Sequence, residues 1–399
     1  MRFPAMIRET GTYRTTSTHG ETVRGFVPHS LPPAAPPLLI EGSLAERHAA
    51  AVAAISRLGV AGAMVPEPGW FLYGFVRKEA VLSSQIEGTQ ATLRDVATFE
   101  ATAGSETPAD VEEVCNYVEA VNQARAAIAD PGGLPLSTRL LCDIHRTLMR
   151  GVRGKDKLPG EIRRSQNWIG GSRPGNALFV PPPPEDVPAA LSALEGWLHA
   201  ADPLPPLVKA GLAHAQFETI HPFLDGNGRI GRMLIALLVE HWELLDTPLL
   251  YLSLPLKRRQ ADYYARLTAV RTEGDWEGWL AFFLECVAEA ADDGVRVARA
   301  IHALLGTDRQ RLAAHDRATV AAIRLLDQLP ANPMVTVPRA SGLLGTTAPP
   351  ARKAIELLEH LGVLRETTGK QRDRVYAYHA YLDLLTDPAG PGDAGNAGR

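Results

Sequence analysis

Three cysteines in 399 residues (Cys115, Cys142 and Cys286) are too few and too widely spaced to form a disulfide framework. The odd number fits reduced thiols in a cytosol, so a disulfide-stapled secreted scaffold is excluded. Long apolar runs are also missing. No stretch reaches membrane-spanning length, and no charged start leads into an apolar segment, so the expectation is a soluble, cytoplasmic chain with no membrane contact. Neither sign of charge dominates: a net charge of −4 argues against a surface that coats nucleic acid, while leaving room for a local basic patch. No internal repeat of solenoid length occurs. What is present is 45% hydrophobic content, enough for substantial cores, over a length that suggests two or three domains.

The most informative stretch is His221 to Arg232, HPFLDGNGRIGR. Ahead of it, Leu207, Val208, Leu212, Ala215 and Ile220 recur at helical spacing and predict a buried helix. Pro222 disfavours helical geometry at His221 and removes a donor, so that helix should end there. Behind it, Ile230, Met233, Leu234, Leu237 and Leu238 mark a second core helix, with Arg229 and Arg232 on one face of its first turn. A helix start offers unpaired N–H groups and partial positive charge, a seat for phosphate. Gly226 and Gly228 let the backbone approach a ligand closely. Asp225 is a hard oxygen ligand suited to Mg²⁺ carried on nucleotide phosphates. The two guanidinium forks can hold phosphate oxygens, and a neutral His221 could take a proton from an attacking hydroxyl. These are the parts of a phosphate-transfer site. A zinc site at His214, Glu218 and His221 is the rival reading, but H-E-x-x-H is absent and no cysteine is near, so His214 is taken as a packed core residue.

This loop resembles the signature of the Fic (Fido) family, HPFx[D/E]GNGRxxR, at every fixed position. The resemblance implies transfer of AMP from ATP to a Ser, Thr or Tyr hydroxyl of a protein, with ATP and Mg²⁺ required. It implies His221 as the base, Asp225 as the metal ligand, and Gly226, Asn227 and Gly228 as the phosphate cradle, with Asn227, Arg229 and Arg232 touching the phosphates. Fic proteins often carry an inhibitory helix with the pattern [S/T]xxxE[G/N], which Ser83, Glu87 and Gly88 fit within RKEAVLSSQIEGTQATLRDV. A carboxylate there, paired with Arg232, would occupy the fork intended for the γ-phosphate and leave the α-phosphate out of line for attack.

Taken in order, the first forty residues are polar and then proline-rich, predicting an extended strap; this stretch also resembles the N-terminal region of one large Fic subgroup. Ser43 to Leu58 has helical composition with Ser43 as a cap, and Pro66 to Gly69 reads as a turn. Helix is expected to run on through about Glu87 and break at Gly88. Asp110 to Ala129 and Leu136 to Met149 predict two amphipathic helices. Within Gly160 to Pro184, residues 167–169 and 177–180 have strand character, predicting a hairpin. The resemblance makes it the target-docking flap, with Trp168, Ile169, Gly170, Phe179 and Val180 available for strand addition. Tyr263 and Tyr264 match a pair that some Fic proteins set against the nucleotide, and since neighbours on a helix point about 100° apart, one should pack inward.

Beyond a long helix ending near Arg311, the pattern helix, strand, helix, helix, hairpin suggests a winged helix. Thr346 or Thr347 should cap its third helix, Arg352 to Leu361 would be the recognition helix, and residues 369–372 would form the hairpin tip. Seven Lys/Arg against five Asp/Glu from Ala331 to Leu385 leave DNA contact and protein packing equally open. The Gly/Pro/Ala-rich tail from Asp387 predicts disorder. The expected architecture is mainly α: strap 1–42, helical region with the inhibitory helix 43–109, Fic core with a β-hairpin flap 110–312, a small α+β winged helix 313–386, and tail 387–399. The activity expected is adenylyl transfer to a partner protein, or to the chain itself, restrained by Glu87. Removal of AMP at the same site, a DNA-binding regulator that senses nucleotide, and a homodimer stay open.

Overall fold

The computed structural model describes residues 8–18, 20–63, 68–102, 108–130, 132–245 and 249–386. The tail from Asp387 lies outside these residues, as do positions 66 and 67 of the expected turn; Pro68 and Gly69 already belong to a helix. The chain is mainly helical, as the spacing predicts.

The strap is not a single extended arm. β1 (Gly11–Thr18) and β2 (Glu21–Pro28) pair antiparallel from Gly11 opposite Pro28 to Thr18 opposite Glu21. Only β2 buries apolar side chains, Val23 and Phe26, so the hairpin lies on the body by one strand. Arg8, just ahead of it, is buried and pairs with Glu277 at 2.9 Å.

α1 (Gly42–Ala63) follows, with Ser43 inside its first turn rather than capping it. α2 (Pro68–Ile86), α3 (Leu93–Thr102), α4 (Ala109–Ala129) and α5 (Thr138–Leu148) come next. Between α5 and α6 (Val187–His199) the expected hairpin reduces to one bridge, Ile169 opposite Phe179. Glycines at 170 and 171, both at positive φ, a short 3₁₀ turn Pro174–Asn176 and prolines 181–184 leave too few donors and too much turn geometry for a ladder.

α7 (Pro206–Ile220) and α8 (Asn227–His241) are the centre of the molecule. Every residue of α7 from Leu207 to Ile220 is buried, including the polar Lys209, His214, Gln216, Glu218 and Thr219. α9 (Ser253–Arg258), α10 (Gln260–Glu273) and the 38-residue α11 (Trp276–Ala313) close the core; α11 lies along α1. The close approach needs Gly294, where a Cβ would stand 2.7 Å from Leu58 Cδ1.

The C-terminal residues form α12 (Val320–Gln328), β3 (Met334–Val335), α13 (Val337–Leu344), α14 (Ala348–His360), β4 (Arg365–Glu366), β5 (Tyr376–Ala377) and α15 (His379–Thr386). Their sheet has order β3-β5-β4, all antiparallel. Thr347 stands at the start of α14 but makes no side-chain cap. This unit packs on α2 and α3: Arg339 donates to the Glu100 carbonyl, and Arg94 pairs with Asp383 at 2.6 Å. Among the described residues no helix is long and apolar enough to cross a membrane.

Candidate active site

α7 stops at Ile220, and His221 takes the left-handed conformation (φ 50°, ψ 61°) while its N–H caps the Phe217 carbonyl at 2.9 Å. Asn227 then staples the turn. Its Oδ1 accepts the Phe223 N–H at 2.9 Å, and its Nδ2 donates to the Phe223 carbonyl at 2.8 Å. Its amide is therefore committed to the backbone rather than turned to a ligand, which differs from the phosphate contact expected of it. Gly226 at φ 79° precedes the first turn of α8, and its N–H reaches Asp225 Oδ1 at 2.6 Å.

Three residues that sequence reasoning missed hold this loop from outside. His145 accepts the Gly160 N–H on Nδ1 at 2.8 Å, so Nε2 carries the proton it donates to the Asp225 carbonyl at 3.0 Å. Its ring stacks on Phe223 with centroids 3.9 Å apart. Burial pushes its pKa down to about 4, keeping it neutral. Arg163, buried, donates from Nε to the His221 carbonyl at 2.9 Å and from Nη2 to Pro182 at 2.5 Å, joining the loop to the 160–184 segment. Arg271 donates to the Thr219 hydroxyl (3.2 Å) and the Glu218 carbonyl (3.3 Å), with its guanidinium 3.9 Å from the Phe179 ring centroid.

His221 itself is half-buried, with Nδ1 buried and unpartnered among the described residues. Burial, then Arg163 and Arg271, push its pKa down to about 3. It is therefore neutral at physiological pH, the form that accepts a proton. The Asp225 side chain is 40% exposed and faces Arg229 at 3.6 Å.

Arg229 and Arg232 are both buried and both paired with carboxylates from the front half of the chain. Arg232 Nη2 meets Glu87 Oε1 at 2.7 Å, while its Nε and Nη2 also donate to the Ser83 hydroxyl (2.9 Å) and carbonyl (3.0 Å). α2 ends at Ile86, and Gly88 at φ 98° turns the chain so that the Glu87 carboxylate lies over Gly228, where any Cβ would collide with it. Burial alone would raise the Glu87 pKa, but Arg232 outweighs it and holds the carboxyl below its usual range. An anion thus already sits on the first turn of α8. Arg229 Nη1 meets Glu113 Oε1 at 2.5 Å. Glu113 lies on the buried side of α4 beside Val114 and Tyr117, and a charge on an apolar stripe is the signal that would have found it.

Glu218, beside this pair, has one buried oxygen without a partner, and burial pushes its pKa up to about 7. His214 lies in the core: its Nδ1–H donates to the Gly231 carbonyl (2.9 Å), so Nε2 accepts from the Tyr263 hydroxyl (2.8 Å). Tyr263 is therefore the tyrosine that packs inward, and Tyr264 is 46% exposed. In the 160–184 segment, Asn167 ties Trp168 to the Phe223 carbonyl through bonds of 2.9 and 3.3 Å. The Ile169–Phe179 bridge lies next to Gly170, and the Val180 carbonyl accepts Phe26 N–H of β2 at 2.9 Å. Strap and segment are thus hydrogen-bonded together. Among the described residues no group of three His, Cys, Asp or Glu converges as a metal cage.

Known proteins share this arrangement of sequence and fold. Residues 135–239 match the Fic/DOC family model, and residues 45–126 match the Fic/DOC family N-terminal model. A protein adenylyltransferase Fic from Culex quinquefasciatus is 32% identical over 158 residues, covering 38% of this chain and 28% of that protein. One from Drosophila grimshawi is 29% identical over 165 residues, covering 40% of this chain and 30% of that protein. The match therefore spans less than a third of the length of these relatives. A Fic family protein from Desulfovibrio desulfuricans shares the fold at a TM-score of 0.53 and 22% identity, over 86% of this chain and 97% of that one. Residues 135–239 are thus similar to the Fic/DOC family domain, and residues 45–126 ahead of them to that family's N-terminal region.

Proposed function

We propose that the chain is a protein adenylyltransferase held in check by its own Glu87. The observation that carries this reading is the Glu87 carboxylate, seated on Arg232 and over Gly228 at the first turn of α8. A buried guanidinium and a helix start form a seat for an anionic group, and here an internal anion fills it. ATP is the substrate whose triphosphate would use that seat once Glu87 withdraws. Neutral His221 takes the proton of the protein hydroxyl as its oxygen bonds to the α-phosphorus. The bond from that phosphorus to the bridging oxygen breaks, and pyrophosphate leaves. Arg229 and Arg232 offset charge on the phosphate oxygens, and Asn227 acts by stapling the loop.

A half-exposed carboxylate beside a phosphate seat fits Mg²⁺, which commonly takes one or two protein oxygens and completes its shell with phosphates and water. Asp225 would hold it, and when bound it supplies charge neutralisation on the triphosphate. We read residues 160–184 as the target-docking flap, with Trp168, Ile169, Gly170, Phe179 and Val180 near its bridge, and Tyr264 as the tyrosine free to meet the nucleotide. Residues 313–386 we read as a winged helix used for packing, since it is already engaged with α2 and α3.

Intact-mass spectrometry after incubation with Mg²⁺-ATP tests the assignment. Glu87→Gly should gain AMP on itself or on an added acceptor protein, and Glu87→Gly/His221→Ala should gain none. No adduct on Glu87→Gly with any hydroxyl acceptor would rule the activity out.

A further inference from the structure

Glu113 is a buried charge that the transfer reading leaves without a part. Its Oε1 accepts two hydrogen bonds, from Arg229 Nη1 at 2.5 Å and from the Thr89 hydroxyl at 3.0 Å. All three residues are nearly inaccessible, at 3% for Glu113, 1% for Arg229 and 3% for Thr89. Thr89 stands two residues after Glu87, beyond the turn at Gly88, and its N–H also reaches the Ser84 carbonyl at 3.1 Å. One carboxylate oxygen therefore touches both an arginine of the signature helix and the loop that presents the inhibitory acid.

While Glu113 holds Nη1, Arg229 turns Nη2 towards the part-exposed Asp225 carboxylate. Its Nη2 lies 3.6 Å from Asp225 Oδ1 and 3.6 Å from Met149 Sδ, and its Nε is buried with no partner among the described residues. The guanidinium is fixed most tightly at Nη1 by Glu113, while Nη2 holds only the longer contacts to Met149 Sδ and to the Asp225 carboxylate. A guanidinium anchored in this way loses less rotamer freedom when it grips phosphate.

We propose that Glu113 is a positioning residue: it sets the Arg229 guanidinium for phosphate and, through Thr89, tethers the loop that carries Glu87. The proposal rests on the adenylyl-transfer reading above for its consequence in catalysis, but not for its consequence in nucleotide binding. Removing the Thr89 hydroxyl cuts the tether and leaves the Glu113–Arg229 pair in place. Neutralising Glu113 as the amide weakens the charge-assisted bond that orients Arg229.

Calorimetric titration of the full chain with Mg²⁺-ATP reads both arms. Thr89→Val should tighten ATP about fivefold while Glu87 is present, because the acid leaves Arg232 more readily, and Thr89→Ser should stay at the wild-type value. In a Glu87→Gly background Thr89→Val should change nothing, whereas Glu113→Gln should weaken ATP about tenfold. Incorporation from α-labelled ATP in that background should show the same roughly tenfold effect in KM, with kcat nearly unchanged. The proposal falls if Thr89→Val has the same effect in both backgrounds, or if Glu113→Gln leaves the ATP affinity of Glu87→Gly intact. If Glu87→Gly transfers no AMP yet the binding pattern holds, adenylyl transfer fails and the role of Glu113 stands.

Discussion

His145, His214 and His221 share a physical condition that makes them testable one residue at a time. Burial depresses all three, to about 4, 4 and 3. Below the ordinary histidine value the unfolded chain binds protons that the folded chain refuses, so each contributes stability above about pH 6.5 that is lost as pH falls. Glu218 has the opposite sign. Its pKa is raised to about 7, so its contribution is present below the ordinary carboxylate value and is lost as pH rises towards 7. Urea midpoints should therefore climb between about pH 4.5 and 6.5, and Glu218→Gln should steepen that climb. A slope unchanged by the substitution would mean that Glu218 is ionised in the folded chain. The bonds of His145 are equally specific: replacing it by Ala removes a stacked ring and leaves two backbone groups unpaired, a loss of about 2–4 kcal/mol measurable by denaturant unfolding. The packed His214 and the neutral His221 were legible in the chain, whereas the roles of His145 and Arg163 were not. His145 and Arg163 act on backbone carbonyls 80 and 58 residues away, and no local pattern encodes such contacts.

At the scale of elements, the sequence was clearest where one physical rule dominates. α7 and α8 follow from apolar spacing, and Pro222 with Gly226 fixes the break between them. It was weakest where pairing depends on distant partners. The β1–β2 hairpin is Thr-rich and polar, and its order comes from Phe26, whose ring lies 6.3 Å from that of Phe179 and whose N–H bonds Val180. The 160–184 segment has strand-forming residues but too many glycines and prolines for more than one bridge. Because strap and segment hold each other, Phe26→Ala should cost about 3 kcal/mol or more and release both. Hydrogen exchange should then quicken across residues 168–180, and protection equal to wild type would disprove the coupling. Turn geometry matters at Gly274, which ends α10 at φ 70° with the Arg8 carbonyl packed where a Cβ would stand. Gly274→Ala should lower stability by about 2 kcal/mol, through left-handed strain and a displaced Arg8, visible as a lower melting temperature.

Across the whole molecule, the pairing of Glu87 with Arg232 spans 145 residues, and only the [S/T]xxxE[G/N] pattern hinted at it. The same helix that delivers Glu87 is gripped farther back by the C-terminal unit. Gly74 leaves room for Tyr381 and Leu385, and Arg77 pairs with Glu100, whose carbonyl holds Arg339. One continuous buried core runs through both regions, so calorimetry of the chain should show a single unfolding transition rather than a separate one for residues 320–386. Restraint of this site depends most on the Glu87 carboxylate seated on Arg232. The most direct test is the initial rate of AMP incorporation from α-labelled ATP by the wild-type chain, by Glu87→Gly, and by Glu87→Gly/His221→Ala. Freeing Arg232 should raise the rate at least about tenfold, equal to about 1.4 kcal/mol of barrier, and losing His221 should abolish it. A wild-type chain as fast as Glu87→Gly, or a double variant that still incorporates label, would contradict the account.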